Sequence, residues 1–334
     1  MKIALIYADY TKVTEEMLEK NPRADKHAKR AVNGITEALE NGGHEVVKIP
    51  ANLQMLQRVV DESVDCIFCH YTPMENLGLQ GNVFAALELL GIPIVGSGMY
   101  TQAVGLSKET TKIIAREYGI RTTKSQLFFS PYDELNDDMK DRFPLFVKPE
   151  NEALSVGVQN DSYVENEAQL RETLQRMFKE VNPPILVEDY LSGREFTVGI
   201  LERDPIIALP VMELKFSKGI RFRSLESVND RETMEKVFPE DLPEELIKEM
   251  KDMTIDTFKA LRGSVYGRAD IRLDSKNRPY LLEFNTMPGL MKGGSFIETE
   301  AEKIGISFDE LINEMVDITM RKANKRKDLN IGEF

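Results

Sequence analysis

The residues best suited to do chemistry lie in Gly267–Gly289, near the C-terminal end, a stretch that reads as two strands joined by a turn. A period of two places Arg268 and Asp270 on one face of the first strand, and Glu283 and Asn285 on one face of the second. If the strands pair, the three oxygen-bearing side chains converge with the arginine beside them. Oxygen ligands of this kind suit Mg2+, which proteins commonly share with substrate phosphates. The pattern predicts a magnesium site, and a solvated hairpin face is the alternative.

The composition is typical of a folded, soluble chain with an acidic balance. With 334 residues, 42% of them hydrophobic and 30% charged, the chain is expected to form two or three subdomains. The net charge of −13 argues against nucleic acid or an anionic membrane as a partner, and no apolar run is long enough to span a bilayer. Cys66 and Cys69 lie in an apolar run without a histidine cluster, so we expect two buried thiols in a reducing cytoplasm.

The first hundred residues alternate between strand and helix signals. The apolar run at the start is too short for a signal peptide, so we expect it to be the first strand. This alternation predicts a parallel, doubly wound α/β sheet, in which ligands bind beyond the carboxyl ends of the strands. His70 lies at such an end, and Glu75 lies in the loop that follows. The predicted elements are the strands Lys2–Tyr7, His44–Ile49, Asp65–His70 and Ile92–Val95, and the helices Asp25–Asn41, Leu53–Glu62 and Asn82–Leu90.

The remainder of the chain mixes helix and strand signals without internal repeats or low-complexity runs. Longer strand signals begin beyond Gly193 and lead into the hairpin. The pattern predicts the helices Ser107–Tyr118, Glu165–Glu180 and Phe308–Lys322, and the strands Leu145–Lys148 and Ile185–Glu188.

Two lysines and one loop carry residue types that bind phosphate. Lys148 ends the strand-like run LFVKP, Lys112 lies in a predicted helix, and a lysine ammonium suits phosphate oxygens. The loop 149–157 contains Ser155 and could close over phosphates. It lacks the glycine spacing of a Walker A motif or of a dinucleotide fingerprint, which argues against those two classes of site.

Two glutamates follow in positions where a nucleotide could be held. Glu188 ends the run ILVE, where its carboxylate could accept hydrogen bonds from a ribose, and Glu195 follows the turn at Gly193. No Ser-His-Asp or Cys-His arrangement stands out, so a covalent enzyme nucleophile is not expected.

Taken in order, these motifs resemble the D-alanine–D-alanine ligases of the ATP-grasp superfamily over nearly the whole chain. The resemblance rests on His70, Glu75 and Gln80-Gly81, on Lys108 and Lys112, and on FPLFVKP, VEDYLSGREFTVGIL, YGRADIRLD and YLLEFNTMPG. It implies an α/β fold with a Rossmann-like domain at 1–104, a central ATP-grasp subdomain at 105–190 and a C-terminal ATP-grasp subdomain at 191–334. It also implies a cytoplasmic homodimer that serves the synthesis of cell-wall peptidoglycan.

The resemblance assigns a role to each candidate residue. ATP phosphorylates a carboxylate to an acyl phosphate, and a second amino acid then attacks through its amine. In this scheme Arg268 and the backbone N–H of Gly289 stabilise the oxyanion, with Lys215 and Ser155 as further catalytic residues. Lys112 and Lys148 would contact the phosphates of ATP, and Glu188 and Glu195 its adenosine. Two Mg2+ ions (or Mn2+) would be bound by Asp270, Glu283 and Asn285. The amino-acid substrates would be bound by His70, Glu75 and Ser295.

The sequence departs from the family around the first amino-acid pocket. The family's glutamate signature after the first strand is replaced by YADYTKVTEE, in which Glu15 or Glu16 is the substitute, and its Gly-Ser-Ser loop by Ala153-Leu154-Ser155. Its lid lysine-tyrosine pair is replaced by Lys215-Phe216. These joint changes predict a different first substrate or a different lid, with Lys215–Glu232 as the segment that orders around nucleotide.

Three functions therefore stay open at the level of sequence. The first is D-alanine–D-alanine ligation. The second is an ATP-grasp ligase that joins a different amino acid, or another carboxylate, to another amine. The third is a nucleotide-binding protein without catalysis, which the retained Arg268 and metal ligands argue against, because a binder needs no oxyanion donor.

Overall fold

The computed structural model describes residues 1–9, 24–71, 78–151, 156–181, 183–217, 219–223 and 233–328. Within these ranges the chain forms three β-sheets, each made from a separate stretch of sequence. No helix in the same ranges is long and apolar enough to cross a membrane.

The first sheet is parallel, as the alternation of strands and helices predicts. It contains β1 (Lys2–Tyr7), β2 (Glu45–Pro50), β3 (Cys66–His70) and β4 (Ile94–Val95), with the helices α1 (Ala24–Asn41), α2 (Met55–Asp61) and α3 (Gly78–Glu88). The strand order is β2-β1-β3-β4, and every neighbouring pair is parallel. Cys66 and Cys69 point into different hydrophobic clusters, and burial raises the pKa of both thiols.

Two helices lead from the first sheet to the second: the helix predicted at Ser107–Tyr118 is present, and a further helix that was not predicted precedes it. They are α4 (Met99–Leu106) and α5 (Lys108–Glu117). Ser107 between them is extended, and its hydroxyl caps α5 by accepting a hydrogen bond of 3.1 Å from the backbone N–H of Thr110. The buried face of α5 carries Thr111, Lys112 and Ala115, so this helix presents a lysine to the interior.

The second sheet is antiparallel. Its strands are β5 (Ser125–Phe128), β6 (Leu145–Pro149), β7 (Tyr163–Val164) and β8 (Ile185–Asp189), in the order β5-β8-β6-β7, with the helices α6 (Asp137–Lys140) and α7 (Glu167–Glu180). Val147 and Val187 lie in a core with the apolar face of α7. Because side chains alternate along a strand, Lys148 and Glu188 lie on the opposite face, away from that core.

The third sheet carries the predicted hairpin. Its strands are β9 (Glu195–Leu201), β10 (Ile207–Ala208), β11 (Met212–Phe216), β12 (Met234–Val237), β13 (Tyr266–Leu273) and β14 (Pro279–Asn285), ordered β12-β11-β9-β13-β14 with β10 beside β9. Helix α8 (Glu244–Ala260), which the sequence analysis missed, packs on one face against Phe196, Val198 and Ile271. The short helix α9 (Phe296–Glu302) packs against β9.

The last helix, α10 (Phe308–Asp328), returns to the beginning of the chain. Leu311 and Ile312 of this helix share a core with Ile3 and Leu5 of β1 and with Ile35 of α1. The first sheet is therefore completed by residues from the far end of the sequence.

Candidate active site

The hairpin of β13 and β14 has the pairing that the period of two predicts. Asp270 lies opposite Glu283 and Arg268 lies opposite Asn285, with a register irregularity just after Asp270. The Arg268 guanidinium grips both oxygens of Asp270, with Nε–Oδ1 and Nη2–Oδ2 distances of 2.8 and 2.7 Å. The side-chain N–H2 of Asn285 also donates to Asp270 Oδ2, at 3.0 Å. The four predicted residues are brought together, which confirms the hairpin.

Asp270 keeps its charge in this setting. Burial alone would raise the pKa of its carboxyl, but the charge and hydrogen bonds of Arg268 outweigh burial and hold the pKa below its usual value. A buried carboxylate that stays ionised near neutral pH is what a cation site requires.

The oxygen atoms at this hairpin fit a hard divalent cation. Glu283 is partly exposed and its Oε2 lies 4.0 Å from Lys108 Nζ, while Asn285 donates through its amide nitrogen and so keeps its amide oxygen for another partner. Across the described parts of the chain, no three His, Cys, Asp or Glu side chains gather in a metal-binding group. The amide oxygen of Asn285 is therefore needed as the third ligand beside the carboxylates of Asp270 and Glu283.

Lys112 does not face the open site. Its ammonium is fully buried, lies 2.9 Å from Glu188 Oε2, and donates to Thr123 Oγ1 at 2.8 Å and to the carbonyl of Leu282 at 3.0 Å. With its donors taken by protein groups, the phosphate contact predicted for Lys112 lacks geometric support.

Lys108, one turn earlier on α5, replaces Lys112 as the candidate phosphate lysine. Its Nζ donates to the carbonyl of Glu150 at 3.0 Å and faces Glu283, and 11% of its side chain is exposed. Lys148 is similarly placed, with 10% of its side chain exposed and its Nζ 2.5 Å from Glu188 Oε1. The two ammonium groups border the same space as the hairpin carboxylates.

Glu188 joins the two lysines rather than standing alone. Its carboxylate meets Lys112 and Lys148 and accepts a hydrogen bond of 2.5 Å from Thr123 Oγ1. Burial would raise the pKa of Glu188, but the two ammonium groups lower it to about 2. The adenosine contact predicted for Glu188 stays a prediction.

Glu195 lies at the start of β9, paired with Arg272 at an Oε2–Nη1 distance of 3.1 Å. Burial raises the pKa of its carboxyl. The Arg272 guanidinium also lies 5.2 Å from the ring centre of Tyr190, and Phe146 and Tyr163 contact the same tyrosine. The sequence analysis missed this aromatic group, which gives a planar base something to lie against.

His70 stands at the carboxyl end of β3, as predicted. It is buried, its Nδ1 has no hydrogen-bond partner, and burial lowers the pKa of the imidazole to about 4, so the ring is neutral.

The turn after β14 is fixed by a network that the sequence did not reveal. Thr286 Oγ1 and Gln80 Nε2 both donate to Gln102 Oε1, at 2.7 Å each.

Ser295 and Gly289 flank the site in different ways. Gly289 is exposed, and a Cβ added there would meet nothing within 4 Å, so space for an oxyanion exists beside its backbone. Ser295 precedes α9, and the backbone N–H groups of Gly293, Gly294 and Ser295 all donate to the carboxylate of Glu298. The backbone donors beside Ser295 are thus engaged by this chain's own glutamate, while the buried Ser295 hydroxyl makes no hydrogen bond.

Lys215 lies on the wrong face of the third sheet for the catalytic role predicted. Leu214 of β11 pairs with Glu195 and packs beside Phe296, so the alternating Lys215 points to the opposite face, where it is exposed. Ser155 and Glu75 lie outside the described residues, as do Glu15, Glu16, Leu154 and much of the predicted lid Lys215–Glu232.

One lysine on an antiparallel sheet and another on the preceding helix border the oxygen ligands of a neighbouring hairpin, and the fold is that of the ATP-grasp class of enzymes. A family model described as the C-terminus of D-Ala–D-Ala ligases matches residues 115–317. The chain belongs to that family, and it is an ATP-dependent ligase that forms dipeptides.

Individual relatives agree over nearly the full length. A D-alanine–D-alanine ligase of Halalkalibacterium halodurans is 29% identical over 325 residues, covering 96% of this chain and 100% of the relative. The ATP complex of a D-alanine–D-alanine ligase from Bacillus anthracis has a TM-score of 0.76 at 24% identity, over 98% of this chain and 99% of the other. The VanG D-Ala:D-Ser ligase from Enterococcus faecalis has a TM-score of 0.72 at 18% identity, over 95% and 99%. The predicted family, fold and enzyme class are confirmed.

Proposed function

We propose that this enzyme joins two D-alanine molecules and that the hairpin of β13 and β14 is its catalytic centre. The observation that carries the proposal is the facing arrangement of Asp270 with Glu283 and of Arg268 with Asn285, bordered by Lys148 and by Lys108. The full-length similarity to enzymes named D-alanine–D-alanine ligases supports the choice of substrate.

In the first step, different residues bind different parts of ATP. An oxygen of the first substrate's carboxylate attacks the γ-phosphorus of ATP, and the bond to the β–γ bridging oxygen breaks as ADP leaves. The ammonium groups of Lys108 and Lys148 hold phosphate oxygens, and Glu195 accepts hydrogen bonds from the ribose. Two Mg2+ ions held by Asp270, Glu283 and Asn285 would supply charge neutralisation on the phosphates.

In the second step the amine of the second substrate attacks the acyl phosphate, the C–N bond forms, and the C–O bond to phosphate breaks. Inorganic phosphate leaves and takes up the proton that the amine loses. Negative charge develops on the carbonyl oxygen, and we assign its stabilisation to Arg268 and the backbone N–H of Gly289. We assign binding of the first substrate to the neutral His70 at the end of β3 and, from the sequence alone, to Glu75, which lies outside the described residues. We assign the domains as 1–104, 105–190 and 191–334, which the three consecutive sheets support, and propose a cytoplasmic homodimer.

A different second substrate is the alternative, and one contact favours it. Glu298 engages the backbone N–H groups of Gly293 and Gly294 at 2.6 and 2.8 Å, where a substrate carboxylate is expected. An amine without a carboxylate at that position would leave this contact intact. The joint replacement of the family's pocket residues at Leu154 and Phe216 concerns the first substrate or the lid instead.

ADP release in the presence of Mg2+ and ATP, with single and paired D- and L-amino acids, tests the proposal. Release driven by D-alanine alone, with the dipeptide identified by mass spectrometry, would support D-alanine ligation. Release only with D-alanine and a second amine would establish the alternative. Silence across amino acids, other carboxylic acids and amines would refute both.

A further inference from the structure

The described part of the predicted lid, residues 219–223, lies beside the proposed nucleotide site and is tied to two sheets. Phe222 is buried, and its ring contacts that of Phe146 edge-on with a centroid distance of 4.8 Å. The backbone carbonyl of Arg221 accepts a hydrogen bond of 2.5 Å from Arg272 Nη2. These two contacts tie the segment to the second and third sheets and set the position of the next residue, Arg223.

Arg223 points into the candidate active site without a hydrogen-bonding partner there. Its Nε is enclosed and makes no hydrogen bond. Its Cζ lies 5.1 Å from the ring centre of Phe296, and the Cζ of Arg268 lies 5.1 Å from the same ring centre. Burial, followed by the charge of Arg268, lowers the pKa of the Arg223 guanidinium. With Lys236 Nζ also 5.1 Å from that ring centre, three cations share one aromatic ring.

The other charged side chains of the cleft are paired. Arg268 grips Asp270, and Arg272 meets Glu195. Lys112 and Lys148 share Glu188, and Lys108 faces Glu283. Within the parts of the chain that the structure describes, no ion pair is formed by Arg223. A desolvated cation without a partner is costly, so this position calls for an anion from outside the chain.

The surroundings of Arg223 identify which anion. The carboxylates in its field are Glu195, which we assign to the ribose, and Asp270 and Glu283, which we assign to Mg2+. The triphosphate of ATP would run from the ribose near Glu195 to the Mg2+ ions at Asp270 and Glu283. Arg223 lies near all three carboxylates and therefore beside that path.

We infer that Arg223 binds the γ-phosphoryl group of ATP and holds it during transfer. The inference rests on the proposed nucleotide site. The bond from the substrate carboxylate to phosphorus forms and the bond to the β–γ bridging oxygen breaks, and its electron pair leaves with ADP. Arg223 moves no proton in this step. Its planar fork holds two of the phosphoryl oxygens as their charge redistributes.

The test separates the γ-phosphate from the rest of the nucleotide. Binding of Mg2+–AMPPNP and of Mg2+–ADP is measured by calorimetry on the full chain, wild type and Arg223→Gln. The variant should bind AMPPNP about 10- to 100-fold more weakly, from the usual strength of a charged hydrogen bond, and ADP within about threefold. Arg58→Gln, at an exposed arginine of α2 in the first sheet's part of the chain, should leave both affinities within about threefold.

Turnover supplies the second readout. Arg223→Gln should lower kcat for ADP release, and Arg223→Lys, which keeps the charge but loses the fork, should recover part of it. An unchanged ratio of AMPPNP to ADP affinity in Arg223→Gln would overturn the inference. A raised KM for an amino acid with that ratio intact would do the same and would assign Arg223 to a substrate carboxylate. If wild type binds AMPPNP in an Arg223-dependent way but no substrate drives turnover, the inference stands and the proposed function fails.

Discussion

The ammonium of Lys112 and the carboxylate of Glu188 lie 2.9 Å apart, on elements from different sides of the nucleotide cleft, with 0% and 2% of their side chains exposed. Lys112 belongs to α5 and Glu188 to β8, and the same ammonium reaches the carbonyl of Leu282 on β14. One buried cation thus joins the second sheet to the hairpin that carries the proposed metal ligands.

We expect Lys112→Met to destabilise the fold and to weaken ATP binding indirectly. Removing one partner of a buried pair leaves the other charge uncompensated, and we expect a loss of about 3 kcal/mol, the low end of the usual range, because Lys148 still faces Glu188. Urea unfolding followed by circular dichroism measures the loss. Lys124→Met, at a lysine with 40% of its side chain exposed, is the control and should change stability little. A Lys112→Met protein as stable as wild type would contradict a structural role.

Asp270→Asn and Glu283→Gln should each lower turnover at least about 100-fold while leaving the fold in place, because each removes a charged ligand from the proposed Mg2+ site. ADP release and thermal unfolding are measured on the same preparations. The control is Asp274→Asn, just past the end of β13, where Asp274 holds the turn through Arg278, so this variant should lower stability and spare turnover. Activity of Asp270→Asn or Glu283→Gln within a few-fold of wild type would remove that residue from the metal site.

Arg268→Lys should lower kcat far more than it changes KM for either amino acid. Its proposed partner, the oxyanion, exists only as the transition state forms, so ground-state binding should be spared. Steady-state kinetics of ADP release at varied amino acid separate the two constants. A change confined to KM would assign Arg268 to substrate binding instead.

Because of Glu300, we expect the free energy of unfolding to fall as the pH rises. Its carboxyl is fully buried behind Arg268, it accepts a hydrogen bond of 2.6 Å from the backbone N–H of Gly199, and burial raises its pKa to about 8. The folded state therefore keeps a proton that the unfolded state loses above its ordinary pKa of 4.5. The stabilisation is complete below that value and is lost as the pH rises through about 8.

The free energy of unfolding of wild type, measured from pH 5 to 8.5, should decline relative to that of Glu300→Gln, whose amide is neutral throughout and can still accept from Gly199. Glu302→Gln, at an exposed position on the same helix, should follow the wild-type curve. Parallel curves for wild type and Glu300→Gln would show that Glu300 is already ionised at pH 5.

The sequence predicted the hairpin residue by residue, because strand periodicity is local and Arg268, Asp270, Glu283 and Asn285 obey it without help from distant contacts. Lys112 was misassigned for a different reason. A lysine beside a phosphate motif and a lysine in a core have the same residue type, and only burial of the α5 face distinguishes them. The packing of that face depends on elements that are remote in sequence.

Arg223 could not have been selected from the sequence at all. Its segment has no periodicity, and its place depends on Phe222 contacting Phe146 and on Arg272 binding the carbonyl of Arg221. Helix α8 is the opposite case. Its buried Met250, Met253 and Thr254 repeat at the spacing of an amphipathic helix, so the signal was present and went unread.

The packing of α10 on the first sheet also bears on how the protein is made. Ile3 and Leu5 meet Leu311 and Ile312, so the apolar surface of the first strand stays uncovered on that side until the last part of the chain has been synthesised. A ribosome-bound chain that ends before residue 308 lacks the helix that covers this side of the first sheet. Contacts between residues so far apart in sequence slow folding. Until they form, the exposed apolar surface of the nascent chain needs protection from aggregation.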